Sequence, residues 1–148
     1  MDLGVYFILF AVFGVAHEVF WTGIVNSLKL KNPRLKGHST VWMFFIYGSI
    51  LFIVLFVTKF FIEYPWWFRG ILYGSLIIVW EYISGFTIKK LIGMSPWDYS
   101  TNGSHDGMAS KKKYHLHGLV CLEYLPLWAV EGLFAEWIFF FLQNHLIV

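Results

Sequence analysis

Five glutamates, Glu18, Glu81, Glu123, Glu131 and Glu136, stand inside long apolar stretches of a chain that has nine acidic residues in all. A charge at the centre of a lone membrane helix costs on the order of 3 kcal/mol, so such acids face a neighbouring helix or a water-filled cavity. Protonation is the other way out, because burial disfavours the charged form. Glu18 lies seven residues before Val25, Glu81 ten before Leu91 and Glu123 seven after Leu116. At about 1.5 Å per helical residue, all three sit roughly 10 to 15 Å in from the same side, and one layer of acids is expected. Such a layer could bind a cation, a proton or a polar headgroup. With Asp98 nearby, it could instead carry out acid and base chemistry on a lipid.

The residues around these acids have a helical period. Gly70, Gly74, Ile77, Glu81, Ser84 and Ile88 recur every three or four positions and so share one face, where the glycines admit a close neighbour. Gly14, Glu18, Trp21 and Val25 form the matching stripe, and Glu123, Leu127 and Glu131 form a third. Pro126 interrupts that third stripe and should free a carbonyl for a polar site. Tyr47 and Trp80 are candidate partners for the acids. Glu136, near the far end of its run, is expected to reach the interface. His17 beside Glu18, and His115-x-His117 before Glu123, lack the spacing that turns ligands to one point, so neither a metal nor a cofactor is expected. His38, His105 and His145 read as solvated.

These acids need helices to hold them. The chain is 58% hydrophobic and 22% aromatic with 14% charged residues, against roughly a quarter charged in an ordinary soluble domain. Its 16 Phe, 8 Trp and 8 Tyr would leave large apolar patches on a soluble protein of 148 residues. Four runs reach the roughly 20 residues that span a bilayer: Leu3 to Val25, Thr40 to Ile62, Trp66 to Leu91 and Leu116 to Leu142. The expected fold is all-α, an integral membrane four-helix bundle forming one polytopic domain over 1–148. The first run has no basic residue ahead of it and contains His17 and Glu18, so it reads as a retained helix and not a cleaved leader.

Basic residues set the orientation. The segment 26–39 holds Lys29, Lys31, Arg34 and Lys36; the loop 93–115 and its flank hold Lys89, Lys90, Lys111, Lys112 and Lys113; the opposite side has only Lys59 and Arg69. Both basic loops should therefore be cytoplasmic, with both termini on the other side. Lys111, Lys112 and Lys113 are placed to attract anionic lipid headgroups. This distribution of charge speaks for a bilayer as partner and against nucleic acid. A lone cysteine, Cys121, excludes an intrachain disulfide. Helices 1 and 3 share an acid, then a glycine, then a basic flank (Glu18 and Gly23; Glu81 and Gly85), a faint sign of two similar hairpins.

No Gly-x-x-x-x-Gly-Lys-Ser/Thr loop, Gly-x-Ser-x-Gly elbow or Cys-x-x-Cys pair is present. The segments Ser39-Thr40-Val41-Trp42, Phe45-Ile46-Tyr47-Gly48, Trp80-Glu81-Tyr82 with Gly85-Phe86, Pro96-Trp97-Asp98-Tyr99-Ser100, and Gly118 followed by Leu122-Glu123-Tyr124 resemble the transmembrane protein 229 family. With it they resemble the domain called putative ABC-transporter type IV. The likeness runs from helix 1 almost to the C-terminus, and Trp-Asp-Tyr-Ser is its most specific element. It implies that Glu18, Glu81, Trp97, Asp98, Tyr99, Gly118 and Glu123 hold the family's polar and aromatic positions. The segment Thr101 to Tyr114 is longer and more basic than that pattern.

The expectation is a multi-pass membrane protein in which Glu18, Trp21, Glu81, Trp97, Asp98, Tyr99, Glu123 and Glu131 bind or move a small cation, a proton or a polar or lipid solute. Four short helices make a thin wall, which calls for a homo-oligomer or a partner membrane subunit. A membrane-embedded lipid enzyme and a non-catalytic scaffold are the alternatives.

Overall fold

A computed structural model describes residues 2–31, 33–100 and 112–145. Four long helices dominate it: α1 (Leu3–Leu30), α2 (Val41–Phe61), α3 (Trp66–Ile92) and α4 (Leu125–His145). Each is long and apolar enough to cross a membrane. The ends follow local chemistry. Asp2 Oδ1 caps α1 by accepting from the Gly4 amide at 3.1 Å. Gly93, at φ +80°, closes α3 in the left-handed conformation that glycine adopts without strain.

The helices pair as two hairpins, α1 on α2 and α3 on α4, with α2 bridging to α3 and α4. Glycines set these pairings by letting bulky rings or backbone come close. A Cβ at Gly14 would lie 2.3 Å from the Tyr47 ring, and one at Gly132 equally close to the Tyr73 side chain. A Cβ at Gly74 would meet the Leu125 carbonyl oxygen at 2.9 Å. The stripe expected on helix 3 is observed: Gly70, Gly74, Ile77, Glu81, Ser84 and Ile88 are all buried. Phe10, Leu51, Val54, Val57, Tyr73, Ile77, Phe139 and Leu142 form the core between the hairpins.

Outside that core the helices remain apolar. Phe20, Phe45, Phe60, Trp66, Ile71, Val79, Val130 and Trp137 are all exposed. A helix hydrophobic on its outward face requires an apolar surrounding, and a bilayer supplies one.

The expected start of helix 4 at Leu116 is incorrect. His115–Leu116 (β1) and Val120–Cys121 (β2) form a small antiparallel hairpin, a 3-10 turn covers Leu122–Tyr124, and α4 begins at Leu125. The hairpin turns at His117 (φ 53°) and Gly118 (φ 72°), and the Leu119 amide donates to the Leu116 carbonyl at 3.0 Å. Two consecutive positive φ values cannot belong to a helix. Pro126 consequently lies in the first turn of α4, where an amide proton has no intrahelical acceptor. It breaks no helical hydrogen bond and frees no carbonyl mid-span, contrary to the expectation above. Helix 1, in turn, runs five residues past Val25.

The expectation that Glu136 simply reaches the interface is also incorrect. Glu136 is 6% exposed and takes a two-pronged contact from Arg69: Nη2 to Oε1 at 2.8 Å and Nε to Oε2 at 3.0 Å. Tyr73 donates to Oε2 at 2.9 Å, and Arg69 Nη1 donates to the Ile62 and Tyr64 carbonyls at 3.2 and 2.5 Å. This one guanidinium joins the α2–α3 turn to α4. Burial of the pair follows from the planar fork of arginine, which satisfies both carboxylate oxygens at once.

Candidate functional site

Both loops on the basic side fold back onto the helix that precedes them. After α1, the segment 35–38 lies on the helix surface at Gly23, and the His38 amide donates to Thr22 Oγ1 at 2.9 Å. Ser39 then donates to Glu18 Oε2 at 2.5 Å. After α3, Trp97 covers Gly85, where a Cβ would be 2.9 Å from the indole, and Tyr99 donates to Glu81 Oε1 at 2.8 Å. Each hairpin thus carries an acid on its first helix and a hydroxyl donor from the returning loop.

The Trp-Asp-Tyr-Ser segment is held by the β-hairpin. Trp97 Nε1 donates to the Leu119 carbonyl at 2.7 Å, and the Tyr99 amide donates to the Gly118 carbonyl at 2.9 Å. Asp98 Oδ1 accepts from the Ser100 amide at 2.7 Å and from Ser100 Oγ at 2.6 Å. Burial acts to raise the Asp98 pKa, but the two Ser100 bonds and the nearby Lys89 and His115 outweigh it, and the carboxyl sits below its ordinary range. Gly118 is required here twice over. Its φ is positive, and a Cβ would lie 2.4 Å from Asp98 Oδ1. Burial, then the charge of Glu81, holds the Tyr99 phenol well above its usual pKa, so Tyr99 remains a donor.

Between the two hairpins lie two adjoining cavities, of about 370 and 180 Å³. His17, Met43, Tyr47, Glu81, Trp97, Trp128 and Glu131 line both. Glu18, Trp21, Ser39, Thr40, Asp98 and Tyr99 add to the smaller one, on the side of the basic loops; Phe10, Phe13, Phe20, Trp80 and Phe134 add to the larger. His17 Nδ1 lies 3.4 Å from Glu131 Oε2, linking α1 to α4. Tyr47 lines both cavities with Glu81 and Glu131, and the smaller one with Glu18 as well.

Glu81 is 9% exposed, and its Oε2 has no hydrogen-bond partner among the described residues. The Trp128 indole N–H likewise has no hydrogen-bond partner among the described residues. Among the described residues, five buried side-chain polar atoms lack a partner: Thr40 Oγ1, Trp80 Nε1, Glu81 Oε2, Ser95 Oγ and Trp128 Nε1. All but that of Ser95 belong to residues lining the two cavities. Buried polar groups are normally satisfied, so orphans concentrated at one place mark where water or a ligand completes the bonding.

Of the sequence-derived candidates, Glu18, Trp21, Glu81, Trp97, Asp98, Tyr99 and Glu131 line one or both cavities. Glu123 does not join them. The hairpin and 3-10 turn put it at the exposed base of α4, where Oε1 accepts from the Lys113 amide at 3.3 Å and Oε2 is 3.7 Å from Lys112 Nζ. Lys111 and His105 lie outside the described residues, as does most of the long basic loop. His17, Ser39 and Trp128 were missed. The signal for His17 was present, since Glu131 needs a cross-helix partner at its depth, but pairing it with Glu18 instead concealed it. Among the described residues no three of His, Cys, Asp and Glu converge to ring a metal ion.

No solved structure matches this chain. The family described as putative ABC-transporter type IV matches residues 5–147, nearly the whole length. Four apolar helices long enough to span a bilayer, arranged as a bundle, accord with that match, and the chain belongs to the putative ABC-transporter type IV family.

Proposed function

We propose that this protein binds and moves a positively charged solute or a proton at the carboxylates that line the interhelical cavities. Glu18, Glu81 and Glu131 come from three different helices and open on the same connected space. The observation that carries the reading is Glu81, nine-tenths buried with one carboxylate oxygen unbonded. A buried carboxylate without a full set of donors is costly unless a proton or a cation completes it. The basic loops face the cytoplasm in this reading, and Lys112 and Lys113 at the membrane edge meet anionic headgroups. The sequence has no nucleotide-phosphate loop, so ATP-driven transport would draw on a separate ATPase chain.

Acid and base chemistry through Asp98 is less well supported. Its Oδ1 is taken by Ser100, and the residue braces the loop against Gly118. Purified protein in liposomes should show saturable uptake of a cation or of protons, and Glu81→Gln should abolish it. Uptake unchanged by Glu81→Gln would refute the reading.

A further inference from the structure

The larger cavity differs from a site built for a bare inorganic ion. At about 370 Å³ it falls within the range of small-molecule pockets, roughly 300 to 1,000 Å³. Its walls are aromatic: Phe10, Phe13, Trp80, Trp97, Trp128 and Phe134 contribute, with Glu81 and Glu131 as the acids. A small metal ion needs several oxygen ligands to replace its water, and two carboxylates among phenyl and indole rings do not supply them. An ammonium ion bearing apolar substituents has no such need. Its charge is spread over carbon and is weakly hydrated, and aromatic faces attract it at about 0.5 to 2 kcal/mol each.

The position of the cavity agrees. α1 and α4 approach each other at Tyr6 and Phe139, whose rings are 5.5 Å apart, and again at His17 and Glu131, 3.4 Å apart. Phe13 and Phe20 of α1 and Phe134 of α4 are exposed and also line this cavity.

We infer that the larger cavity takes a lipophilic organic ammonium ion, its charge against Glu81 and its apolar groups against the surrounding rings, while Glu131 keeps His17 as its partner. This rests on the proposed function of the same cavity as a cation site, and narrows it to one class. Glu81 Oε2, unbonded and buried, is the counter-charge.

Benzyltrimethylammonium is a suitable probe, with neopentylbenzene as its uncharged counterpart of the same shape. Radiolabelled benzyltrimethylammonium should bind saturably to the protein in nanodiscs and not to empty nanodiscs. Glu81→Gln should weaken binding at least tenfold, and Trp128→Leu, which leaves every carboxylate in place, severalfold. Neopentylbenzene should displace the label at least tenfold less effectively than the unlabelled ammonium ion. Displacement by neopentylbenzene equal to that by the ammonium ion would overturn the inference. So would an absence of saturable binding while cation or proton uptake still depends on Glu81, an outcome that leaves the proposed function standing. Loss of both ammonium binding and Glu81-dependent uptake in protein that elutes as a single folded species would overturn the two together.

Discussion

The Tyr99 hydroxyl donates to Glu81 Oε1 at 2.8 Å, so a loop residue outside the membrane span holds one of the two oxygens of an acid buried within it. The other oxygen, Oε2, is buried without a partner among the described residues. Tyr99→Phe removes the hydrogen bond that the Glu81 side chain makes among the described residues and leaves the aromatic ring in place. Leaving a buried polar group unsatisfied costs about 1 to 3 kcal/mol. A lower midpoint in thermal unfolding of the detergent-solubilised protein is expected, and Tyr99→Phe matching the parent protein would show that the bond carries no weight.

Arg69 and Glu136 should behave as a coupled unit. Removing one partner of a buried pair leaves an uncompensated charge and costs about 3 to 5 kcal/mol, whereas replacing both with apolar residues is near neutral. Arg69→Leu and Glu136→Leu should each destabilise strongly, and the double variant should recover part of the loss, the buried Tyr73 hydroxyl being left without its acceptor. A double variant as unstable as the sum of the two would contradict the clamp between the α2–α3 turn and α4.

Asp98 links the loop to pH. Its carboxyl is held below the ordinary range in the folded protein, so its contribution is present above the unfolded-state value, about 4, and is lost as pH falls through the folded one. Protection of 95–100 from proteolysis should therefore decline in acid below about pH 4, and Asp98→Asn should flatten that dependence. Gly118→Ala should disrupt the same docking at every pH, because it both strains a positive φ and intrudes on Asp98. An acid profile identical in the parent protein and Asp98→Asn would assign the sensitivity elsewhere.

Orientation can be read by cysteine labelling. The native Cys121 is fully buried and should contribute little background. In sealed vesicles of known sidedness, an impermeant maleimide should reach Glu63→Cys from the non-cytoplasmic side and Leu35→Cys from the cytoplasmic side. The reverse pattern would invert the proposed topology.

The sequence disclosed the helices where period and length agreed. Helix 3 is the clearest case: its glycine and acid stripe is the buried stripe, and its observed end at Ile92 lies next to the expected Leu91. Helix 4 was misplaced because Leu116, Leu119, Val120, Cys121 and Leu122 satisfy a membrane helix by composition alone. Only the backbone shows that His117 and Gly118 turn the chain. The same misreading carried Glu123 into the acid layer, whereas Glu131, one of the third stripe, is the helix 4 acid that lines the cavities. Arg69 and Glu136 are 67 positions apart, and no local pattern joins them. The return of Ser39 to Glu18 and of Tyr99 to Glu81 depends on loops packing against glycines, a tertiary fact that spacing does not encode.

Dicyclohexylcarbodiimide, which reacts with protonated carboxyls in apolar surroundings, tests most directly whether Glu81 stands open to solute from within the membrane. Peptide mass spectrometry after treatment in lipid should find Glu81 modified, with the modification slowed when benzyltrimethylammonium is present. Modification confined to exposed acids such as Glu63 and Glu123, with Glu81 untouched in folded protein, would contradict the account.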